Sequence, residues 1–214
     1  MKRTINIISF LLIIALSLPL FSLSIFAAFD PFSPQAKVTV WLEHQTDKNE
    51  VESLFRQAGF LTETGPIAGR ALITNRKVLT DNELTAVKDF LAHGGRVIGL
   101  GTNNLPQVTF LGYQSTKPHL AYLEINQASI PWEMPKLIKL PTITVSIFTA
   151  EGTSLAGYYN QDGYTSSHIP LFNNAICQFD WGLYSGLDWF SPIFLDDATF
   201  RQLILFWLRS AIWR

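Results

Sequence analysis

The sequence contains a single cysteine, Cys177, and only 15% of its 214 residues are charged. One cysteine cannot form an intrachain disulfide or a cysteine-based zinc site. Because Cys177 lies in an apolar run, we interpret it as a small buried residue and not as a reactive thiol. The formal net charge is -1 and no basic cluster is present, which argues against a nucleic-acid-binding surface.

The sequence also lacks the usual patterns of metal and cofactor sites. Its four histidines are scattered, without the spacing of metal ligands: His44, His93, His119 and His168. No phosphate-binding glycine loop is present, so the sequence predicts neither a metal nor a cofactor. His93 is expected in the last turn of a helix, where a partial positive charge is favourable.

The first 28 residues differ in composition from the rest of the chain. Lys2 and Arg3 precede a run without charge from residue 5 to residue 28. This pattern is typical of a targeting segment, and its length slightly favours a membrane anchor over a cleaved signal peptide. Both alternatives stay open, because residues 24–28 include small residues of the kind found before a cleavage site. In either case the remaining chain is expected outside the cytoplasm.

A short linker and a strand–helix unit follow the targeting segment. Residues 29–36 contain two prolines and are interpreted as a linker, and residues 37–214 as one α/β domain. Residues 37–42, KVTVWL, predict the first strand. Asp47, with Glu50 three residues later, predicts the start of a helix that ends at Gly59.

The stretch LTDNELTAVKDFLAHGGRVIGLGTNN, which starts at Leu79, is the most informative part of the chain. Thr80 and Glu83 form a capping box, and apolar residues then recur at helical spacing until two glycines end the helix. Arg96–Gly101 predicts a buried strand, and residues 71–74 predict another before the helix. Strands that alternate with helices predict a doubly wound α/β fold, with a mostly parallel sheet and helices on both faces.

The second half of the chain is less regular. Residues 105–141 contain five prolines and are interpreted as loops with short strands. The later strands are predicted at residues 142–148, 154–159 and 175–179, with a turn at residues 161–163. Asp196 or Asp197 is expected to cap a largely buried helix that ends near Trp213.

This order of elements resembles the class I glutamine amidotransferase-like superfamily, which has a flavodoxin-like fold. The resemblance covers roughly residues 37–214 and rests on LTDNELTAVKDFLAHGGRVIGLG, on the loop-rich middle and on LILFWLRSAIW after a late strand. Glutaminases of the superfamily carry a nucleophilic cysteine in a G-x-C-x-G turn, where this chain has Gly101. Their His-x-Glu pair is missing too, since His168 is followed by Ile169 and Pro170. The resemblance therefore implies a member that is not a glutaminase.

Polar residues follow the predicted strands. In open α/β sheets, ligands bind beyond the carboxyl ends of the strands. We therefore expect a ligand site formed by Glu43, His44, Asn75, Arg76, Thr102, Asn103, Asp180 and Trp181. The alternative is that these loops are polar because they face water, with Arg76 paired to Glu43.

Two classes of function fit these patterns. The first is a non-catalytic exported or membrane-anchored domain that binds a small ligand, a glycan or an envelope protein partner. The second is an extracytoplasmic hydrolase that uses Asp180 with His44 or Glu43. A cluster of aromatic residues either binds such a partner or covers one end of the core: Phe179, Trp181, Tyr184, Trp189, Phe190 and Phe194. The lack of a nucleophile motif favours the binding domain, without an assigned catalytic residue.

The targeting segment generates the first testable prediction. A reporter enzyme that is active only outside the cytoplasm, fused after Arg214, should be active because Lys2 and Arg3 keep only the N-terminus inside. A second fusion, to a reporter that works only in the cytoplasm, serves as the control. Activity of the cytoplasmic reporter alone would contradict the predicted topology.

Overall fold

The structure is a computed structural model that describes residues 36–116, 122–133, 135, 137–159 and 174–213. Several predictions concern residues outside these ranges: the targeting segment (1–28), the linker up to residue 35, the turn at 161–163, His119 and His168. Within the described residues, no helix combines the length and the apolar character that crossing a membrane requires.

The fold opens with two strands joined by a helix. Strand β1 (Ala36–Trp41) leads to helix α1 (Lys48–Ala58) and then to β2 (Phe60–Glu63), which pairs with β1 in parallel. The Asp47 side chain accepts hydrogen bonds from two backbone N–H groups of the first turn, so the predicted cap is confirmed. The sequence did not predict β2, because the strand has only four residues and directly follows the glycine that ends α1.

A second strand–helix–strand unit follows and matches its prediction. It consists of β3 (Ala71–Thr74), α2 (Asp81–Ala92) and β4 (Arg96–Leu100). Both halves of the capping box between Thr80 and Glu83 are formed. β3 pairs in parallel with β1 on one side and with β4 on the other.

The described residues of the second half of the chain add seven strands and two helices. Asp197 caps the last helix by accepting hydrogen bonds from the N–H groups of Thr199 and Phe200. The elements are β5 (Thr109–Ser115), β6 (Tyr122–Ile125), a 3-10 turn (Gln127–Ser129), β7 (Leu137–Lys139), β8 (Thr144–Thr149), β9 (Thr153–Tyr159), β10 (Ile176–Phe179), β11 (Gly182–Ser185), α3 (Pro192–Leu195) and α4 (Ala198–Trp213).

Nine of these strands form one mixed sheet in the order β2-β1-β3-β4-β11-β10-β9-β6-β7. The five strands from β2 to β11 run parallel, whereas each later neighbour pairs antiparallel. β5 and β8 form a separate antiparallel pair. The chain is therefore an α/β protein, and its parallel region ends at β11.

Alternate side chains of the strands point to opposite faces of this sheet and build two apolar clusters. The larger cluster packs the apolar faces of α1 and α4 against residues such as Val38 and Ile98. The other packs Val87 of α2 against Leu72 and Val97. Helices thus cover both faces of the sheet.

Most of the predicted aromatic cluster belongs to the core. Tyr184, Trp189, Phe190 and Phe194 are buried, and the Trp189 ring stacks on Trp207 of α4. This confirms the interpretation that these rings cover the core. They have no exposed face on which a sugar or a partner protein could stack.

Gly182 at the start of β11 permits the close approach of β11 to β4. Its φ is +148°, and a Cβ atom there would overlap the carbonyl oxygen of Val97. We expect Gly182→Ala to lower the free energy of unfolding by about 4 kcal/mol or more, as seen for the most disruptive substitutions. Gly112→Ala is the control, because Gly112 has φ of +138° but no atom near the added carbon. It should cost about 1–3 kcal/mol from backbone strain alone. The free energy of unfolding is measured by urea unfolding. Equal losses for Gly182→Ala and Gly112→Ala would show that the contact between β4 and β11 is not tight.

Candidate functional site

The carboxyl ends of β1, β3, β4 and β11 lie along one edge of the sheet, because these strands are parallel. We call it the carboxyl edge. Six of the eight predicted site residues follow the first three of these strands: Glu43, His44, Asn75, Arg76, Thr102 and Asn103. The structure therefore brings three of the four predicted loops to the same edge.

Asp180 and Trp181 lie at the opposite edge, which we call the amino edge. They form the turn between β10 and β11, and β10 runs antiparallel to β11. The next residue, Gly182, pairs with Val97 at the start of β4. The sequence treated β10 as a strand of the parallel region, so the expectation that these two residues join the site is wrong. A pair of Asp180 with His44 or Glu43 is not formed.

Asn75 is the most connected side chain at the carboxyl edge. It is only 2% exposed, and its Oδ1 accepts a hydrogen bond from the backbone N–H of Glu43 at 2.9 Å. Its Nδ2 donates to Thr46 Oγ1 at 2.8 Å and to both carboxylate oxygens of Asp188 at 3.2 Å. The amide thereby joins the ends of β1, β3 and β11, and we assign it a positioning role.

Glu43 and Asn103 also tie loops of this edge together. Glu43 Oε1 accepts a hydrogen bond from the backbone N–H of Lys77 at 2.8 Å. The N–H of Asn103 donates to the carbonyl oxygen of Lys77, also at 2.8 Å. His44, in contrast, is exposed to solvent beside these contacts.

Arg76 forms an ion pair with Glu83 of α2, and not with Glu43 as the alternative interpretation assumed. Its Nε also donates to the carbonyl oxygen of Leu42 at 3.4 Å, and its guanidinium carbon lies 5.8 Å from the centre of the Trp41 ring. The other carboxylate oxygen of Glu83 completes the capping box. One glutamate therefore fixes both the start of α2 and the position of Arg76.

The turn after β4 has a left-handed backbone at Gly101, with φ of +74°. The Gly101 carbonyl accepts a hydrogen bond from Ser146 Oγ at 3.1 Å. The next residue, Thr102, is fully buried, and its hydroxyl has no hydrogen-bond partner among the described residues. Its carbonyl accepts a hydrogen bond from the Tyr184 hydroxyl at 2.6 Å. The turn after β4 is therefore sharp, but Gly101 has no side chain at the position where the sequence comparison with glutaminases expects the nucleophilic cysteine.

Cys177 does not compensate for that missing nucleophile. It is fully buried in β10, and desolvation raises the pKa of its thiol to about 12. A thiol with this pKa is almost entirely protonated at neutral pH and is a poor nucleophile. The interpretation of Cys177 as a buried structural residue is confirmed.

Asp188, after β11, is the residue that the sequence interpretation missed. Burial raises the pKa of its carboxyl group, hydrogen bonds from the Phe190 N–H and Asn75 lower it, and the charge of Glu43 raises it further. The net direction is upward. The sequence analysis assigned no role to Asp188, because the short strand β11 that precedes it was not predicted. The available signal was the apolar run GLYSGL that precedes it.

A cleft of about 240 Å³ opens beside β1 at the carboxyl edge. Its floor is formed by the end of β1, and the loops after β1, β2 and β3 form its sides. The lining side chains include one aromatic ring, one carboxylate and three basic groups: Trp41, Glu43, His44, Lys48 and Arg76. The backbone at Gly65 also lines it, and its carbonyl accepts the Trp41 indole N–H at 2.8 Å.

Comparison with known proteins gives a fold but no family. No family model matches the sequence, and no curated protein shows significant similarity to it. Alpha-L-fucosidase isoenzyme 2 from Paenibacillus thiaminolyticus is similar in structure, with a TM-score of 0.61 and 15% identity over 82% of this chain and 33% of that chain. This likeness supports the α/β fold alone.

Two further solved structures are more distant. Exo-beta-1,4-mannosidase Op5Man5 from Opitutaceae bacterium strain TAV5 has a TM-score of 0.49 and 11% identity, over 82% of this chain and 35% of that chain. PurLQS from Thermotoga maritima has a TM-score of 0.45 and 10% identity, over 85% of this chain and 100% of that chain. This chain thus spans about a third of the fucosidase and mannosidase chains.

The raised pKa of Asp188 predicts a pH dependence of stability. A carboxyl group with a raised pKa in the folded state stabilises the fold fully only below its unfolded pKa, about 3.9. That contribution is lost as the pH rises through the folded value. The stability of the wild-type protein relative to Asp188→Asn should therefore fall as the pH rises above about 4. Urea unfolding of both proteins at several pH values measures this difference. Asp180→Asn is the exposed control, and parallel curves for wild type and Asp188→Asn would contradict the assignment.

Proposed function

We propose that this protein is a non-catalytic, exported or membrane-anchored member of the class I glutamine amidotransferase-like superfamily that binds a small ligand at its carboxyl edge. The observation that carries the proposal is the position of the cleft, at the carboxyl ends of β1 and β3. The strand order β2-β1-β3-β4-β11 corresponds to the flavodoxin-like order 2-1-3-4-5, with β11 as the fifth strand. In that order the switch point lies between β1 and β3, where such folds bind their ligands.

The connections around β1 and β3 explain why a cleft forms there. α1, which follows β1, packs on one face of the sheet, and α2, which follows β3, packs on the other. The segments that follow β1 and β3 turn away from the edge in opposite directions, and a crevice forms between them. Thr46 and Lys48, at the start of α1, line this crevice beside Arg76 from the loop after β3.

The side chains of the cleft favour a small ligand with an acidic group. Arg76, Lys48 and the exposed His44 supply hydrogen-bond donors, and Trp41 supplies an apolar wall. The ion pairs of Arg76 with Glu83 and of Lys48 with Glu52 keep both cations near the cleft. Its volume is below the ~300–1,000 Å³ of drug-sized pockets, so a single sugar acid or an amino acid fits the available space.

The same contacts support binding over catalysis. Gly101 supplies no nucleophile, and Asn75 is fully used in hydrogen bonds between loops. With Asp180 at the other edge, a hydrolase would have to use Asp188 as its acid or base. Both oxygens of Asp188 already accept hydrogen bonds from Asn75, and one accepts another from the Phe190 N–H. These hydrogen bonds occupy the carboxylate oxygens that a substrate would otherwise contact.

Binding is tested with ligand-observed NMR against a panel of uronic acids, neutral monosaccharides and amino acids. We expect an acidic member of the panel to bind the wild-type protein and Arg76→Ala to lose that binding. The substitution removes an ion pair that is partly exposed, so it should lower stability by no more than about 1 kcal/mol.

Asp180→Ala is the matched control, because Asp180 is exposed at the opposite edge and should not affect binding. Loss of binding in Asp180→Ala but not in Arg76→Ala would place the ligand at the wrong edge and reject the proposed cleft. Binding of neutral sugars alone would reject the acidic ligand.

A further inference from the structure

We infer that the amino edge of the sheet docks on anionic phospholipid headgroups through a cluster of arginines and one exposed tryptophan. We call this group the arginine–tryptophan cluster; it consists of Arg70, Arg96, Arg209 and Trp213. The inference rests on the membrane-anchored placement proposed above and adds a surface that the ligand cleft does not include.

Backbone contacts place these residues together at the amino edge. Arg70 immediately precedes β3 and Arg96 is the first residue of β4. Their side chains donate to carbonyl oxygens of the last turn of α4, Arg70 Nε to Ile212 at 3.2 Å and Arg96 Nη1 to Ala211 at 3.4 Å. Arg209 of α4 donates to the carbonyl oxygens at the end of α1, Ala58 at 3.1 Å and Gln57 at 2.7 Å. Two helix ends and two strand starts therefore meet at one place.

The charge of this cluster is not neutralised by acidic side chains. The ion pairs found among the described residues are Lys37–Glu63, Lys48–Glu52 and Arg76–Glu83, and none involves the three arginines of the cluster. The helix ends carry only about half a negative charge each. Asp180 and Glu151 add two exposed carboxylates to the same edge, and Arg56 in the last turn of α1 adds a further cation. A net positive charge remains, which complements an anionic membrane surface.

Trp213 gives the cluster the second property of a membrane interface. Its side chain is 51% exposed, stacks on Phe60 with ring centres 5.6 Å apart and lies 4.5 Å from the guanidinium carbon of Arg70. A tryptophan with an apolar body and a polar N–H is favoured at the level of lipid headgroups. The contact with Arg70 joins the aromatic and the basic group in one surface.

The connection of the chain favours a lipid surface over a protein partner. β1 begins at Ala36 on this edge, and residues 29–35 are all that separates it from the uncharged run that ends at residue 28. Seven residues reach at most about 25 Å when fully extended. A linker this short favours a lipid surface, because a retained anchor raises the effective concentration of headgroups for the rest of the chain.

The test uses the full-length chain reconstituted in vesicles of phosphatidylcholine alone or mixed with phosphatidylglycerol. Residues 1–35 contain none of the six tryptophans, so fluorescence reports only on the rest of the chain. Lipids brominated near the headgroup should quench the wild-type protein in the anionic vesicles and much less in the neutral ones. Because Trp181 lies at the same edge, all proteins in this test carry Trp181→Phe, and Trp213→Phe should then remove most of this quenching.

A tryptophan moved to the other edge provides the matched control. Val78 is 60% exposed in the loop after β3, so the double variant Trp213→Phe with Val78→Trp places an exposed indole at the carboxyl edge. It should be quenched by aqueous iodide and not by the brominated lipids. Equal lipid quenching of both tryptophan positions, or of neutral and anionic vesicles, would overturn the inference.

The arginines are tested by charge. Arg96→Gln with Arg209→Gln should weaken docking roughly five-fold for each arginine lost, whereas both arginines changed to lysine should retain it. Thermal unfolding of each variant identifies any loss of folded protein. Unchanged lipid quenching in the glutamine variant would overturn the role of these charges and favour a protein partner for this edge.

Flotation separates this inference from the proposal on which it rests. If the chain floats with the vesicles but shows no quenching difference, docking is wrong and the anchor stands. If it does not float, membrane anchoring fails and the docking inference fails with it, while ligand binding at the cleft is unaffected.

Discussion

The geometry of the carboxyl edge depends on the buried amide of Asn75. One side chain satisfies the N–H of Glu43 and the hydroxyl of Thr46, both in the loop after β1, and the carboxylate of Asp188 after β11. A buried amide has few alternatives to these partners, because an unpaired polar group in that position is costly. The ends of β1, β3 and β11 therefore behave as one unit, and the walls of the cleft are fixed before a ligand arrives.

The change of strand direction at β11 gives the two edges of the sheet different chemistry. Parallel strands bring the loops after β1, β3 and β4 together, and the loops after β1, β2 and β3 line the cleft. The antiparallel turn before β11 sends Asp180 to the other edge, where the starts of β3 and β4 supply arginines. The proposed ligand cleft and the proposed docking surface therefore lie on opposite edges and share no residues.

Local signals predicted the first half of the fold well. The two caps at Asp47 and Thr80 and the apolar spacing that follows them specify α1 and α2 without any tertiary contact. Strand direction could not be predicted in the same way, because it depends on which distant strand becomes the neighbour. The sequence therefore assigned Asp180 to the site and missed Asp188. The alternative interpretation paired Arg76 with Glu43, although Glu83 lies seven residues away on the next helix.

The pairing of β4 with β11 also determines when the sheet can close. Leu100 at the end of β4 pairs with Ser185, so the intervening residues have to be synthesised and folded back before this contact forms. Until then β4 presents an unpaired edge to any other extended chain, which is a risk for aggregation. Contacts this distant along the chain slow folding, since the entropy of a long loop is lost before the contact stabilises the chain. The edge of β4 is protected only after β11 has been synthesised and has paired with it, so this part of the sheet closes late in folding.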